Sequence, residues 1–385
     1  MIPELTADEQ RFRDQVCGLL CEESVRRRVT ECRRQLPEGE EPELLDVYRQ
    51  LGERGWLAVN WPERYGGRDG TYLQKAIVTE ELIRHRVPDL ANTLTIDIVG
   101  FGVLLAGTEA QKQRVLPRLA SGETTAAVLF SEPGTGSDLS ALQTRAEPDG
   151  DGWRLYGRKS YCMKSHISDI GLCAARTTAS DVKYHGITLF LVPLQSLSVT
   201  VEPTWNLLNE RFGEVTLDGV RLTADDVLGS VDDGWNTLNQ VLSLERITID
   251  FVAKARLLFD RLAGHAAKTG RLEEPEYAQR ILELEARVRA AELLTWRCVR
   301  DFDNGTPDDV RSAIAKYYST ELLKELGSEA MEVVGLDAVL HGRDEQAVQE
   351  GLFESLYREG PGWTLGSGTS EIMLYLIAGS GLELL

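Results

Sequence analysis

One carboxylate in the second half of the sequence stands where chemistry is possible. Glu245 follows Val241 by four residues and precedes Ile249 by four, in a segment whose apolar residues recur at helical spacing. Its side chain is therefore expected on the apolar face of a helix. Lost hydration there raises the pKa of a carboxyl group and makes it a better base at neutral pH. A structural ion pair, with Arg246 or with a distant arginine, explains the same position, and the residues alone leave both readings open.

A glycine-rich stretch, LFSEPGTGSDLSAL, follows a short apolar run and spans Leu129 to Leu142. Glycines allow a backbone to come close to a ligand, and clustered N–H groups and hydroxyls suit an anionic group. The stretch lacks the lysine of a GxxxxGK[ST] loop and the third glycine of a dinucleotide-binding motif. No GxSxG nucleophile motif occurs in the sequence. A plain turn between two strands is the other reading.

The six cysteines and five histidines give no metal signature at sequence spacing. The cysteines form no CxxC pair and the histidines form no HExxH, so we expect no metal site. Cys17 and Cys21 stand one helical turn apart, and core packing is favoured over redox chemistry for them.

The predicted secondary structure changes from helix to strand and back to helix along the chain. Helical periodicity in the first part gives way to short β-rich runs separated by turns such as Asp149-Gly150. Longer helices then complete the sequence, expected over roughly 236–268, 276–303, 307–333 and 369–380. The pattern predicts an α+β fold with three domains: an N-terminal helical domain (1–123), a central antiparallel β-domain (124–232) and a C-terminal four-helix bundle (233–385).

Composition and charge narrow the classes of function. Hydrophobic residues make up 42% and charged residues 27% of the chain, as in ordinary globular proteins. The net charge of −19 opposes binding to nucleic acid or to an anionic membrane, although it permits a small anionic ligand at a local site. The charged start, MIPELTADEQRFRDQ, lacks the apolar core of a secretory signal, and a cytoplasmic protein without membrane spans is expected.

Three stretches combine into a family resemblance. They are GWLAVNWPERYGG with the EEL that follows, GTEAQKQRVLPRLASGE running into FSEPGTGSD, and GSGTSEIM near the end. In this order, over a helix–sheet–helix pattern, they resemble the acyl-CoA dehydrogenase family of flavoproteins from about Glu9 to Gly379. The resemblance implies FAD as cofactor, a CoA or carrier-protein thioester as substrate, electron-transfer flavoprotein as redox partner, and a homodimer or homotetramer.

The resemblance also implies where FAD binds. Phe130 and Ser131 would contact the isoalloxazine, and Gly136 and Ser137 would line the pyrophosphate and pantetheine path. The remaining contacts it implies are Tyr161, Cys162 and Met163 beside the flavin, and Thr369 and Glu371 at the ribityl-pyrophosphate side.

The base and the substrate contacts come from the same resemblance. Many relatives carry a catalytic glutamate just before the Gly-Thr of the C-terminal motif, where this chain has Ser367 before Gly368. Other branches place it in a Leu-Glu-Arg helix setting, which SLERIT matches, so periodicity and resemblance together favour Glu245 as the base. The Ser367 N–H is expected to bond the thioester carbonyl beside Gly368, and Arg246 to orient either the substrate or Glu245.

Three departures from the family pattern leave alternatives open. Tyr161-Cys162-Met163 replaces a Trp-Ile/Thr-Thr/Ser segment, the Arg-x-x-Phe-Gly motif is replaced by AKTGRLEEPEYAQR, and Gln-x-x-Gly-Gly reads Glu332 to Leu336. The last two motifs make inter-subunit contacts in the family, so a different oligomer or weaker FAD binding is expected. The open alternatives are γ,δ-dehydrogenation of an unsaturated short acyl group, an O₂-dependent oxidase, and a non-catalytic subunit of a heteromer.

Overall fold

The computed structural model describes residues 5–35, 44–88, 90–207, 211–245 and 249–384. Contacts group these residues into two compact units. Unit 1 comprises 5–35, 71–88 and 249–384, and unit 2 comprises 44–70, 90–207 and 211–245. The three-domain boundaries expected from the sequence follow chain order instead and stay a prediction.

Thirteen α-helices lie within the described residues, two of them continued by π-helical turns at Thr93–Gly100 and Ile377–Gly381. They are α1 (Ala7–Leu20), α2 (Glu23–Gln35), α3 (Leu45–Gly52), α4 (Tyr72–Arg84), α5 (Leu90–Asn92), α6 (Phe101–Ala106), α7 (Glu109–Ala120), α8 (Gly234–Glu245), α9 (Ile249–Lys268), α10 (Pro275–Asp303), α11 (Asp309–Val334), α12 (Leu352–Trp363) and α13 (Ser370–Leu376). In the part of the chain described, no helix is both long enough and apolar enough to cross a membrane.

The predicted C-terminal helices are confirmed, with differences at their ends, and all of them but α8 lie in unit 1. Helices α9 to α12 share one apolar core. The single helix expected over 236–268 is described as α8 and α9, with 246–248 outside the described residues. The sequence reading missed α12 because Gly360, Pro361 and Gly362 near its end are helix-breaking residue types.

Helix α4 is buried on nearly all sides in unit 1, so its polar groups need partners. Its first turn is capped by Thr71 and by the Asp303 carboxylate, which accepts hydrogen bonds from the N–H groups of Tyr72 (2.6 Å) and Leu73 (3.1 Å). Farther along, the Arg13 guanidinium on α1 donates to the Glu80 carboxylate.

We expect Glu80 to make stability depend on pH. Burial raises the pKa of its carboxyl group to about 7, although Arg13 and Arg84 act in the opposite direction. Between an unfolded value of about 4.5 and a folded value of about 7, the folded chain holds a proton that the unfolded chain releases, so stability falls as pH rises through this window. The thermal unfolding midpoint should fall between pH 5 and pH 7.5, and it should fall less in Glu80→Gln than in wild type. An equal drop in the two proteins would contradict this assignment.

Eight strands form the sheet of unit 2: β1 (Ala126–Leu129), β2 (Arg145–Asp149), β3 (Gly152–Met163), β4 (Ile170–Arg176), β5 (Ile187–Pro193), β6 (Val199–Trp205), β7 (Arg211–Leu222) and β8 (Val227–Leu228). Their order is β6-β7-β3-β2-β4-β5-β8, with β1 paired to β4. The predicted antiparallel sheet is confirmed for most pairs, while β1 and β4 run parallel.

Asp149-Gly150 and Asp218-Gly219, two of the Asp-Gly pairs in this region, have different roles. Asp149 pairs with Gly152 across the β2–β3 hairpin, and Gly150 in the turn has a φ of 66°, which confirms the predicted turn. The second pair, Asp218-Gly219, lies inside β7, where Gly219 forms a bulge opposite β3 with a φ of 69°. A glycine with left-handed φ serves a turn or a bulge equally, so the dipeptide alone cannot distinguish them.

Candidate active site

The glycine-rich loop leaves the sheet at the end of β1 and folds back on itself. Glu132 and Thr135 exchange two backbone hydrogen bonds, of 2.8 and 3.1 Å. Just before this turn, the Ser131 carbonyl accepts a hydrogen bond from the N–H of Ser160 at 2.9 Å. The structure therefore brings the predicted residues Phe130 and Ser131 beside the 160–163 segment of β3.

A buried ion pair stabilises the glycine-rich loop. The Lys159 ammonium lies 2.9 Å from the Glu132 carboxylate and 3.1 Å from the Phe130 carbonyl, and Lys159 is fully buried. The same carboxylate accepts the N–H groups of Gln143 (2.7 Å) and Thr144 (2.9 Å). Burial alone would raise the pKa of Glu132, but Lys159 and these hydrogen bonds outweigh it, and the pKa is lowered.

A cavity of about 450 Å³ lies against the loop. Arg145 and Arg158 stand among its lining residues together with Gly134 and Thr135. The Thr135 hydroxyl is buried and has no hydrogen-bond partner among the described residues. A Cβ built on Gly134 or Gly136 would meet no atom within 4 Å, so these glycines leave open space above the loop. The positive lining, the unpaired hydroxyl and the open backbone together fit an anionic ligand.

Tyr161 sits on a bulge that turns its ring outward. Between Lys159, paired with Val215, and Cys162, paired with Gly213, strand β3 has one residue more than β7. Tyr161 has a φ of 57° there, which is strained for a residue with a Cβ atom. The residue is 65% exposed, and its ring meets the edge of Phe212 at 6.1 Å between centroids. The bulge therefore presents a large aromatic surface next to the loop.

We expect Tyr161→Gly to be more stable than Tyr161→Ala, by about 1 kcal/mol, because glycine adopts a positive φ without strain. Both variants lose the exposed ring, so both should bind flavin more weakly than wild type. Thermal unfolding of the flavin-free proteins and flavin titration measure the two effects separately. A Tyr161→Gly protein less stable than Tyr161→Ala would contradict the strain argument.

The two residues after Tyr161 face different surroundings. Cys162 is buried in the sheet core, where burial raises the pKa of its thiol, so any contact with a ligand would come from its backbone. Met163 is half-buried and joins an apolar cluster built on α8 and the π-helical turn. The buried members of this cluster are Leu94, Ile98 and Val241, and the partly buried ones are Phe101, Val128 and Met163.

Helix α8 carries the predicted base at its last position. Leu238 and Val241 are fully buried, which confirms the apolar face predicted for this helix, and the helix ends at Glu245. The side chain of Glu245 lies outside the described residues, as does the whole of Arg246. Their roles therefore stay predictions.

In unit 1, the GSGTSE segment leads into α13 through two residues in left-handed conformation. Ser367 has a φ of 55° and Gly368 a φ of 86°, and the Thr369 hydroxyl caps α13 by accepting the N–H of Ile372 at 3.2 Å. Glu371 is exposed, and hydrogen bonds to its own backbone N–H and to Thr369 lower the pKa of its carboxyl. The segment thus presents Ser367 in a strained conformation for a residue other than glycine.

Side chains of helix α11 contact the GSGTSE segment and the residues just before it. The Ser370 hydroxyl donates to the Glu321 carboxylate at 2.6 Å, and the fully buried Lys316 donates to the Trp363 carbonyl at 3.2 Å. Within unit 1 the structure therefore brings Ser367, Gly368 and Thr369 together as one turn.

Sequence reasoning missed the support residues Glu132 and Lys159. Glu132 belongs to the quoted motif, but a glutamate beside a proline and two glycines resembles a solvated turn residue. The available signal was the β3 alternation, which places Lys159 on the inward face. A lysine on a buried face requires an anionic partner.

Comparison with known protein families gives matches over most of the chain. Acyl-CoA dehydrogenase family models match it in three parts: the N-terminal domain over residues 6–123, the middle domain over 127–220 and the C-terminal domain over 232–382. These three matches define a flavin-dependent oxidoreductase that acts on CH–CH bonds. The chain belongs to the acyl-CoA dehydrogenase family.

Individual relatives are distant but cover nearly the full length. Acyl-CoA dehydrogenase FadE26 of Mycobacterium tuberculosis is 28% identical, over 86% of each chain. Subunit CarC of the caffeyl-CoA reductase-Etf complex of Acetobacterium woodii is 25% identical, over 90% of this chain and 91% of its own. The solved Tcur3481-Tcur3483 steroid ACAD superposes with a TM-score of 0.90 at 26% identity, over 100% of this chain and 99% of its own.

The family is FAD-dependent, and the residues of this chain fit that cofactor. The cavity beside the loop has the positive lining and the unpaired Thr135 hydroxyl that a diphosphate can use. The exposed Tyr161 ring offers a flat surface of the kind that covers an aromatic ring system. The enzyme therefore acts on the CH–CH bond of an acyl-CoA with FAD as its cofactor.

Proposed function

We propose that this chain oxidises the Cα–Cβ bond of an acyl-CoA thioester, with Glu245 as the base. The carboxylate of Glu245 takes the α-proton as the α C–H bond breaks. FAD, when bound, supplies the two-electron acceptor that receives the β-hydrogen as hydride. The products would be the α,β-unsaturated thioester, a protonated Glu245 that holds the α-proton, and the reduced cofactor that holds the β-hydrogen.

The observation that carries this proposal is the apolar cluster one helical turn before Glu245. Val241 on α8 is buried in that cluster, and Met163 and Phe101 contribute its partly buried edge. The helical spacing of the sequence predicts that a residue four positions after Val241 lies on the same face of the helix. A carboxylate at the rim of an apolar region loses part of its hydration, which favours its use as a base for α-proton removal.

The residues that would hold FAD follow from the loop and the bulge. Ser131, Gly136 and Ser137 offer backbone N–H groups and hydroxyls to the anionic part, and Tyr161 offers a ring face. The other proposed contacts are Phe130, the Cys162 backbone, Met163, Thr369 and Glu371.

The thioester would be oriented by a second set of groups. The Ser367 N–H, with Gly368 beside it, is proposed to donate to the thioester carbonyl and so stabilise the negative charge that develops after α-proton removal. Left-handed backbone at both residues supports a turn built for a specific N–H direction. Ser137 and Arg246 are proposed to contact the CoA portion and the substrate.

A panel of thioesters tests the proposal directly. Anaerobic addition of saturated short, long and steroid-bearing acyl-CoAs to the FAD-loaded protein should bleach the flavin absorbance with at least one of them. The steroid member is included because one solved relative is a steroid ACAD. Bleaching only by α,β-unsaturated acyl-CoAs would indicate that the enzyme oxidises the γ,δ bond instead of the Cα–Cβ bond. No bleaching by any thioester would refute the proposal.

Aerobic repeats of the same assay distinguish the electron acceptor. We propose electron-transfer flavoprotein, because the CarC relative belongs to a complex with Etf. Turnover should then require added acceptor and form little hydrogen peroxide. Stoichiometric peroxide without added acceptor would identify an oxidase. In the thioester panel, preference for a carrier-protein thioester over the CoA thioester would identify a carrier protein as the acyl carrier.

A second candidate is a non-catalytic subunit that assembles with a different, catalytic chain. The inter-subunit Arg-x-x-Phe-Gly and Gln-x-x-Gly-Gly patterns are absent from this sequence, and one solved relative is named as a pair, Tcur3481-Tcur3483. Native mass spectrometry of the protein expressed alone distinguishes the cases. A flavin-loaded homodimer or homotetramer supports the homo-oligomer, whereas a flavin-poor monomer supports the two-chain assembly.

A further inference from the structure

Two cysteines and one histidine, none of them among the residues proposed to bind FAD or substrate, meet in unit 1. The sulfur of Cys17 lies 3.6 Å from that of Cys21, and the Nε2 atom of His85 lies 3.9 Å from the first sulfur and 3.3 Å from the second. His85 follows Cys21 by 64 residues, so the sequence spacing that predicted no metal site could not reveal this cluster.

The three distances match the edges of a tetrahedral metal site. With zinc–sulfur bonds of about 2.3 Å and zinc–nitrogen bonds of about 2.0–2.1 Å, tetrahedral geometry puts two sulfurs about 3.8 Å apart and a sulfur about 3.6 Å from nitrogen. The described cluster meets each of these separations within about 0.3 Å. A metal ion therefore fits between the three atoms without backbone movement.

The histidine is already oriented as a metal ligand. Its Nδ1 atom lies 2.8 Å from the backbone carbonyl of Glu81, which fixes the Nδ1–H tautomer. The lone pair of Nε2 then points at the two sulfurs. An outer hydrogen bond of this kind is the usual support of a ligating imidazole.

The electrostatic surroundings also favour a cation. Cys21 is the C-cap of α1, and His85 is the C-cap of α4, so two helix C-termini direct their negative ends at the cluster. The Glu81 carboxylate adds negative charge nearby, 3.7 Å from the Nδ1 atom of His85. Arg13 and Arg84 lie against Glu81, at 3.5 and 4.0 Å from its carboxylate, and balance part of this negative charge.

We propose that Cys17, Cys21 and His85 bind one Zn²⁺ ion that joins the C-terminal ends of α1 and α4. Two thiolates and an imidazole form a donor set that binds Zn²⁺ in preference to Mg²⁺ or Ca²⁺. Cys21 is exposed, so the fourth position opens to solvent and takes a water molecule. Binding releases a proton from each thiol and involves no electron transfer.

Cobalt substitution tests the site in the full-length, FAD-loaded protein. After treatment with a chelator and a phosphine reductant, one equivalent of Co²⁺ should give the intense red-region bands of tetrahedral cobalt, at wavelengths beyond flavin absorption. One equivalent of Zn²⁺ should then displace the cobalt and raise the thermal midpoint of the wild-type protein. Absence of tetrahedral bands, or no shift with Zn²⁺, would overturn the proposal.

Matched variants assign the ligands. Cys21→Ser and His85→Gln should each lose the cobalt bands and the zinc-induced shift, while Cys32→Ser, a cysteine outside the cluster, should keep both. Flavin absorbance of each variant reports whether it is folded, and the exposed position of Cys21 makes its variant the decisive one. Cobalt bands that persist in Cys21→Ser, or that vanish in Cys32→Ser, would refute the assignment.

Discussion

Glu245→Gln should lower kcat by about 10²–10⁴-fold while leaving the protein yellow and folded, because glutamine cannot accept the α-proton. General-base catalysis contributes a rate factor of this size. The amide group of glutamine has nearly the same shape as the carboxylate that it replaces, so the fold should be unaffected. Thioester binding should survive, so the loss belongs in kcat more than in KM. Rapid-mixing measurement of flavin reduction with the best thioester of the panel isolates the chemical step.

Two companion variants give this prediction its controls. Glu245→Asp keeps a carboxylate but withdraws it by one methylene, so it should retain more activity than Glu245→Gln. Gln240→Glu places a carboxylate at an exposed position of α8 and should leave kcat near the wild-type value. A Glu245→Gln protein that reduces flavin at the wild-type rate would remove Glu245 from the mechanism and leave the family assignment intact.

Lys159→Met is expected to destabilise the protein by about 3–5 kcal/mol, because it leaves the Glu132 carboxylate buried without its cation. Lys159 is fully buried and Glu132 is 7% exposed, so water cannot replace the lost ammonium. The loop that carries Ser131 and Gly136 loses its support as well. We therefore expect a lower flavin content, measured by the ratio of flavin to protein absorbance, together with a lower unfolding midpoint in urea.

Lys183→Met is the matched control, since Lys183 pairs at 2.8 Å with Asp138 of the same loop. Those two side chains are 62% and 55% exposed, and a solvated pair contributes less than about 1 kcal/mol. Equal destabilisation by the two substitutions would contradict a special role for the buried pair.

The pH dependence of the buried pair has a definite sign. The pKa of Glu132 is lowered from its ordinary value of 4.5, so its contribution is complete above that value and is lost as pH falls through the folded pKa. The stability gap between wild type and Lys159→Met should therefore narrow at pH 4 relative to pH 7. A gap that widens on acidification would contradict the pairing.

The fold was predictable from the sequence because its signals are local. Helical spacing, glycine and proline punctuation, and the Asp149-Gly150 turn depend on neighbours within a few residues. The parallel pairing of β1 with β4 was not predictable, since Ala126 meets Ile170 across 44 residues that no local pattern connects.

The site was predictable in part for the same reason. Motif residues such as Phe130, Ser131 and Ser367 were named from short stretches, whereas the left-handed bulge at Tyr161 depends on its register against β7. The partnership of Lys159 with Glu132 and the approach of His85 to Cys17 join residues 27 and 68 positions apart. Such contacts are products of the folded chain, which explains why the sequence reading missed them.

The interleaved make-up of unit 1 has a consequence for synthesis on the ribosome. Helix α4 packs against α1, α9 and α10, and the last two are encoded after residue 248. A nascent chain therefore carries α4, whose side chains are mostly buried in the folded protein, from residue 84 until synthesis passes residue 249 and its later partners begin to emerge. Prematurely terminated products would display that helix uncovered, and chaperones that recognise apolar segments are expected to retain them.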